Sequence, residues 1–495
     1  MIIELLSNQK ELAVTGQDVV RLFFPDAEIR LENTEECELS LKVATYADGP
    51  VIRGTAQLTE DGKFAAEQVS GDLGLLPFSD DVRNHLKRLV KLALYRLLTK
   101  YTGQPAGPWG ILTGIRPTKI VHRFLDAGWL PDSIQQYLTA AYEMSADKAV
   151  LLTDTALRQR AYLLTEKEAR ELISIYIGIP FCPTRCAYCS FPSYSVENSA
   201  SLVEPFLEAL LGEIRAIGRA AGEMGRKVQT VYVGGGTPTV LDSEKMCRLL
   251  EVINDSLVSE ATVEITLEAG RPDTVTMEKL RAAREQGVTR VSINPQTMNP
   301  ETLEVIGRLH SPQQVADAMA MARQTGFKTI NMDVIAGLPG ETAADVQKTL
   351  AAIAVFEPEN LTVHTMAVKR ASRINEARDN FEISPPREVD KMLHLAHEAA
   401  GKMGMRPYYL YRQKNMVSPL ENIGYARSGH DCIYNVQMIE ERQTIIGLGG
   451  GAGSKFVGPG TWYLTSHYNP KDLETYIRRI DEIIALKVDK LRSFD

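Results

Sequence analysis

Three cysteines fall within eight residues, in the segment Phe181-Cys182-Pro183-Thr184-Arg185-Cys186-Ala187-Tyr188-Cys189. The chain holds only six cysteines in 495 residues, so a disulfide scaffold is excluded and the cluster calls for other chemistry. Three thiolates on one tight loop can hold three corners of a cubane iron-sulfur cluster. With no fourth cysteine nearby, the last iron stays open to a substrate or cofactor. The alternatives are a zinc knuckle or three buried thiols. Structural zinc prefers four ligands and usually pairs two Cys-x-x-Cys knuckles, which this segment lacks.

Such a loop needs elements to position it. From residue 173 onward, β-branched runs at 175–179, 230–233, 263–267, 290–294, 329–335 and 361–365 alternate with helix-like segments at 202–221, 243–253, 277–286, 312–326 and 343–356. Six strands separated by helices predict a parallel sheet or barrel of βα units with right-handed crossovers. In such a fold the loops after the strands carry the site. The cysteines follow the first run, and Gly234-Gly235-Gly236-Thr237-Pro238-Thr239 follows the second, where glycines let backbone pass close to a ligand. Glu268 ends the third.

Upstream, 1–71 reads as a small sheet broken by turns at Asp48-Gly49-Pro50 and Asp61-Gly62. An amphipathic helix at 81–101, a Gly- and Pro-punctuated stretch at 103–119 and helical patterning over 133–172 follow. Downstream come a helix at 388–403, a strand-like 408–412, an apolar run at 444–448 and a last helix over 470–490. The expected organisation is an N-terminal α+β domain (1–170), the βα array (171–370) and a C-terminal α/β extension covering the substrate (371–495).

Cys-x-x-x-Cys-x-x-Cys at the end of a first barrel strand resembles the signature of radical S-adenosylmethionine (SAM) enzymes. In that family the open iron of a 4Fe-4S cluster chelates SAM, and one electron from the reduced cluster releases a 5'-deoxyadenosyl radical. The resemblance implies a partial (βα)6 barrel in the α/β class, with the cluster on Cys182, Cys186 and Cys189. It also implies SAM contacts from Tyr176, Tyr188, Gly235, Gly236, Thr237, Glu268, Gln296, Arg308, Asp333 and Ala367. Tyr176-Ile177-Gly178-Ile179-Pro180-Phe181-Cys182 is similar to the start of the oxygen-independent coproporphyrinogen III oxidase group, which usually has His where Gly178 stands. Gly114-Ile115-Arg116-Pro117-Thr118-Lys119, Tyr408 to Lys414 and Asn422-Ile423-Gly424-Tyr425-Ala426 resemble its HemZ-type coproporphyrinogen dehydrogenases.

The implied reaction converts two propionates of coproporphyrinogen III to vinyls, giving protoporphyrinogen IX, with a low-potential donor such as flavodoxin or ferredoxin. Ser190-Phe191 after the third cysteine resembles the haem-chaperone branch instead, and a haem-processing radical enzyme is a third reading. A tetrapyrrole carries several propionates, so cationic groups are expected at the substrate, with Arg412, Lys414 and Lys455 as candidates.

Composition bounds the rest. Hydrophobic residues make up 44% and charged residues 24%, as in an ordinary globular chain with a large core. A formal charge of -8 gives no basic footprint for nucleic acid. The sequence has no run of about 18 apolar residues. Its opening stretch lacks a secretory pattern, so no membrane span and a cytoplasmic location are expected.

Overall fold

A computed structural model describes residues 1–34, 36–72, 82–191, 193–413 and 416–493. The chain divides into two units, Met1–Leu157 and Arg158–Asp495.

The first unit holds a five-stranded sheet of β1 (Ile2–Ser7), β2 (Glu28–Arg30), β3 (Leu39–Asp48), β4 (Val51–Glu60) and β5 (Lys63–Asp72), in the order β2-β1-β3-β4-β5. The Asp61-Gly62 turn, with φ of +45° and +77°, joins β4 to β5 as an antiparallel hairpin. A helix at Lys10–Phe23 was not expected from the sequence. It buries Leu12, Ala13, Gly16, Val19 and Val20 at helical spacing. The helix Val82–Thr102 presses against β4 so closely that a Cβ on Gly54 would stand 2.5 Å from the Leu89 backbone carbon. Leu89, Val90, Ala93, Leu94 and Leu97 close this core.

The second unit contains β6 (Leu172–Ile179), the short β7 (Phe181–Cys182) and β8 (Tyr194–Ser195), then β9 (Lys227–Gly235), β10 (Glu264–Glu268), β11 (Arg290–Ser292), β12 (Thr329–Ala336) and β13 (Asn360–Thr365). After these come β14 (Arg406–Tyr411), β15 (Asn422–Ala426), β16 (Thr444–Leu448), β17 (Gly453–Val457) and β18 (Leu464–Tyr468). Eleven strands form one sheet in the order β14-β15-β13-β12-β11-β10-β9-β6-β16-β17-β18. The six strands β6, β9, β10, β11, β12 and β13 are parallel and largely buried, as a sheet covered on both faces requires.

Helices Ala200–Glu223, Ser243–Leu257, Met277–Glu285, Pro312–Thr325 and Ala343–Val355 make the crossovers. Their starts are written locally. Asp242 and Thr276 cap two of them, and Ser311 with Gln314 forms a capping box on a third, which Gly326 ends at φ +77°.

Two features depart from the expected organisation. The C-terminal segment is no separate body, because β15 pairs antiparallel with β13 while β16 pairs parallel with β6. The apolar run at 444–448 is thus a seventh parallel strand. The division near 170 also moves to Leu157/Arg158, in the last turn of the helix Ala146–Gln159. The sheet keeps two edges, β14 and β18, and so stays open.

Candidate active site

Residues following β6 and residues following β13 line one cavity of about 340 Å³, so the sheet curls until its first and sixth parallel strands face a common space. Each wall can be built from the chain. Pro180 ends β6, and Phe181 and Cys182 pair with Tyr194 and Ser195, closing the cysteine loop at its base. Within the loop, Ala187 donates its N–H to the Ile306 carbonyl at 2.9 Å and accepts from Ile374 N–H at 3.1 Å. The loop's shape is therefore fixed by backbone bonds to the segments after β11 and β13.

Cys182, Cys186 and Cys189 all line the cavity. Burial pushes the Cys182 thiol up to about 11 and also raises Cys189. Among the described residues, no three Cys, His, Asp or Glu groups converge on a single-ion site. The thiols line a wall, where a larger group with several corners would meet them.

The glycine run lies directly beside the first cysteine. Gly236 donates to the Ile179 carbonyl at 2.8 Å and Thr237 to that of Phe181 at 2.7 Å, drawing the loop after β9 against the cysteine strand. A Cβ on Gly236 would stand 2.5 Å from the Phe181 carbonyl oxygen and 3.0 Å from the Cys182 sulfur. Only glycine fits there. The Thr237 hydroxyl donates to Cys182 Sγ at 3.5 Å.

Glu268, at the end of β10, accepts from the Tyr232 phenol at 2.5 Å. Burial raises its carboxyl to about 7 against the lowering effect of that bond, with Asp333 adding to the rise. Gln296 sits at φ +65°, an uncommon backbone state for a residue with a Cβ, and is locked there by paired bonds with Asp333 and Ile335. Its Oε1 is buried without a partner. Arg308 is 4% exposed, yet only Nη2 is bonded, to the Gly270 carbonyl, while Nε and Nη1 have no partner. Buried polar groups are ordinarily satisfied, so these orphaned atoms mark a place for a polar ligand. Asp333 accepts from Asn331 Nδ2 at 2.7 Å and stands 3.7 Å from His364 Nε2.

The structure thus gathers Tyr188, Gly235, Gly236, Thr237, Glu268, Gln296, Arg308, Asp333 and Ala367 around the cysteines. It does not bring Tyr176 to the wall. That ring lies in a stack, 6.3 Å from both Tyr232 and Tyr434, partly buried against a cluster that holds Tyr408, Tyr409 and Tyr434.

Two cationic candidates are corrected. Strand alternation turns Tyr411 and Gln413 to the cavity and Arg412 away from it, so its guanidinium donates to the Pro419 carbonyl at 2.7 Å and the Leu420 carbonyl at 3.1 Å. Burial lowers Arg412 to about 10. Lys455, on β17, pairs with Glu441 at 3.1 Å and donates to the Met438 carbonyl at 2.8 Å, outside the cavity. Lys414 lies outside the described residues. The lining cations not singled out from the sequence are Arg271 and Lys369, the latter 6.0 Å above the Phe191 ring. Both follow strands of the parallel set, β10 and β13, and that position was the available signal.

Residues 176–353 match the radical SAM superfamily. Over 484 residues the chain is 37% identical to the oxygen-independent coproporphyrinogen-III oxidase-like protein HemZ of Bacillus subtilis, covering 96% of this chain and 95% of that one. The chain belongs to the HemZ family of radical SAM proteins. A haem chaperone, HemW of Mycobacterium tuberculosis, is 29% identical over 60% of this chain and 72% of its own. The structure of coproporphyrinogen III oxidase HemN from Escherichia coli overlays with a TM-score of 0.51 at 23% identity, over 66% of this chain and 73% of that one. The chain therefore has the radical SAM fold.

Radical SAM proteins use a 4Fe-4S cluster and SAM. The cavity fits them: three thiols on a wall, a glycine cradle that a Cβ would fill, and orphaned donors and an acceptor on Arg308 and Gln296. No helix among the described residues is long and apolar enough to cross a membrane.

Proposed function

We propose that the chain is an oxygen-independent coproporphyrinogen III dehydrogenase, converting two propionates to vinyls and giving protoporphyrinogen IX. The observation carrying this reading is the end-to-end similarity to a coproporphyrinogen-III oxidase-like relative, which includes the segments outside the βα array. Cys182, Cys186 and Cys189 hold the cluster, and Arg308 offers its two free N–H positions to the SAM carboxylate. Gln296 and Asp333 face the ribose side, and Ala367, 8% exposed, leaves room for the adenine. When held by these residues, the cluster and SAM would supply the one-electron radical chemistry that starts each conversion, which would release carbon dioxide and pass one further electron per vinyl to an acceptor. Lys369, held over Phe191, presents a cation to a propionate carboxylate at the cavity. The protein works in the cytoplasm and draws electrons from a low-potential donor of the flavodoxin or ferredoxin class.

An anaerobic assay with reductant, SAM and coproporphyrinogen III tests this, with vinyl product and 5'-deoxyadenosine followed by mass spectrometry. Both products are expected. SAM cleavage without vinyl product, alongside tight haem binding, would instead establish haem carriage, a reading favoured by Phe191 beside the third cysteine.

Glu268 gives a pH dependence. A buried carboxyl raised to about 7 is protonated below that value and ionised above it. The ionised form accepts hydrogen bonds from SAM, so SAM affinity should strengthen as pH rises through about 7, and Glu268→Gln should flatten the profile. Equilibrium binding across that range checks it, and a flat wild-type profile removes Glu268 from SAM recognition.

A further inference from the structure

Arg271 follows Glu268 by three residues, in the turn Gly270-Arg271-Pro272-Asp273 after β10. It is 3% exposed, and a cation at that depth is costly unless its partners are fixed. Asp273 grips one side of the guanidinium, Oδ1 to Nε at 3.1 Å and Oδ2 to Nη2 at 3.2 Å. That two-point grip aims Nη1 at the cysteine loop. There it donates to Thr184 Oγ1 at 3.0 Å, to the Thr184 carbonyl at 3.4 Å and to Cys186 Sγ at 3.9 Å. Thr184 lies between the first two cysteines, and its hydroxyl donates onward to the Gly307 carbonyl at 3.0 Å. Arg308 holds the same turn through the Gly270 carbonyl. The two arginines thus divide the work, one facing the cavity with free donors and the other facing a cysteine sulfur.

We propose that Arg271 is a positioning residue that sets the reduction potential of the iron-sulfur cluster, through its contact with Cys186 and under partial opposition from Asp273. The inference rests on the proposed assignment of Cys182, Cys186 and Cys189 as cluster ligands. Reduction adds one negative charge to a group already bearing thiolates. A buried guanidinium at the sulfur favours the more negative state, since hydrogen bonds to sulfur and local charge are the protein's levers on such potentials. Asp273 carries the opposite charge on the opposite side of the same guanidinium. Removing one partner or the other should therefore move the potential in opposite directions, an effect that a purely structural role for the turn would not produce.

The test is an EPR-monitored redox titration of anaerobically reconstituted wild type, Arg271→Gln and Asp273→Asn, with iron and acid-labile sulfide measured on each. At a fixed poise, the reduced-to-oxidised ratio is expected to fall about tenfold in Arg271→Gln, or about 59 mV for a one-electron couple. It should rise in Asp273→Asn and fall less in Arg271→Lys, which keeps the charge but loses the fork. Equal potentials at equal cluster content overturn the proposal while leaving the cluster assignment standing. A wild type that takes up no cluster overturns the assignment itself, and this proposal with it. If Arg271→Gln does not assemble the cluster but Arg271→Lys does, Asp273→Asn decides, an unchanged or lowered potential counting against the proposal. Assembly lost in Arg271→Gln and not restored in Arg271→Lys marks a structural role and also overturns it.

Discussion

Replacing any one of Cys182, Cys186 and Cys189 with alanine abolishes 5'-deoxyadenosine formation, to background, and leaves the protein folded. The two halves of this expectation have separate physical grounds. The chemistry fails because three thiolates hold the cubane while leaving one iron open, and the cavity's described lining offers no further thiol to replace a lost one. The fold persists because the loop is shaped by its own backbone. Phe181 and Cys182 pair with Tyr194 and Ser195, Ala187 bridges Ile306 and Ile374, and Cys189 donates to the Cys186 carbonyl at 3.1 Å. None of these bonds uses a sulfur atom. Iron content and SAM cleavage in reconstituted variants, with far-ultraviolet circular dichroism on the same samples, check both halves. Retained cleavage in any single variant would sink the ligand assignment.

The βα array was legible because each of its elements is encoded within itself. The six β-branched runs read from the sequence overlap β6, β9, β10, β11, β12 and β13, and Ser311 to Gly326 carries both a helix start and a helix stop. Elements fixed by distant partners were not legible. Thr444–Leu448 is an uninterrupted apolar run, which by itself suits a buried strand or a buried helix. Its identity comes from pairing with β6, some 270 positions earlier, in the register Ile446 opposite Ile175. The helix Lys10–Phe23 was lost for a different reason. Its buried positions are interleaved with Lys10, Glu11, Gln17 and Asp18 between two strand-like stretches, and the strand signal dominated the reading of that region.

The site divides along the same line. Glu268 ends β10, Gln296 follows β11 and Asp333 lies within β12, and all three, expected from the resemblance, line the cavity. Tyr176 and Arg412 lie off the cavity wall because side-chain direction, which spacing alone does not give, turns them elsewhere. Tyr176 belongs to a partly buried aromatic stack, and Arg412, just past the end of β14, falls between two cavity-lining neighbours. Lys455 failed because a cation near a motif in sequence need not be near it in space. Arg271 is the instructive omission. It stands beside Pro272 and Asp273 in a turn that reads as a bland connection, and its meaning appears only when Thr184 and Cys186 are placed against it.

Lys487→Met should lower the stability of the second unit by about 3–5 kcal/mol, the cost of leaving a buried charged partner uncompensated. Lys487 and Glu213 are both wholly buried, with Nζ 2.5 Å from Oε1. The carboxyl group also accepts from Gly449 N–H at 2.8 Å, the Tyr476 phenol at 2.8 Å and Asn469 Nδ2 at 3.2 Å, and Lys487 donates to the Gly447 carbonyl as well. One pair of charges therefore ties the helices Ala200–Glu223 and Ile480–Arg492 to the glycine turn after β16. That turn lies tight against Gly178, on β6 four residues before Cys182, and Gly449 holds it at φ +94°. Glu213→Leu is expected to cost more than Lys487→Met, because it strands three donors besides the lysine, each worth about 1–3 kcal/mol. The double variant Glu213→Leu/Lys487→Met should be more stable than Glu213→Leu alone, since it removes the unpaired cation while the other orphaned donors remain. Denaturant midpoints of the four proteins measure this, with iron loading recorded on each. A shift below about 1 kcal/mol in Lys487→Met would mean that the lysine sheds its charge at little cost, consistent with burial lowering its pKa. The glycine turn would then owe its position to the neutral bonds from Gly449, Asn469 and Tyr476.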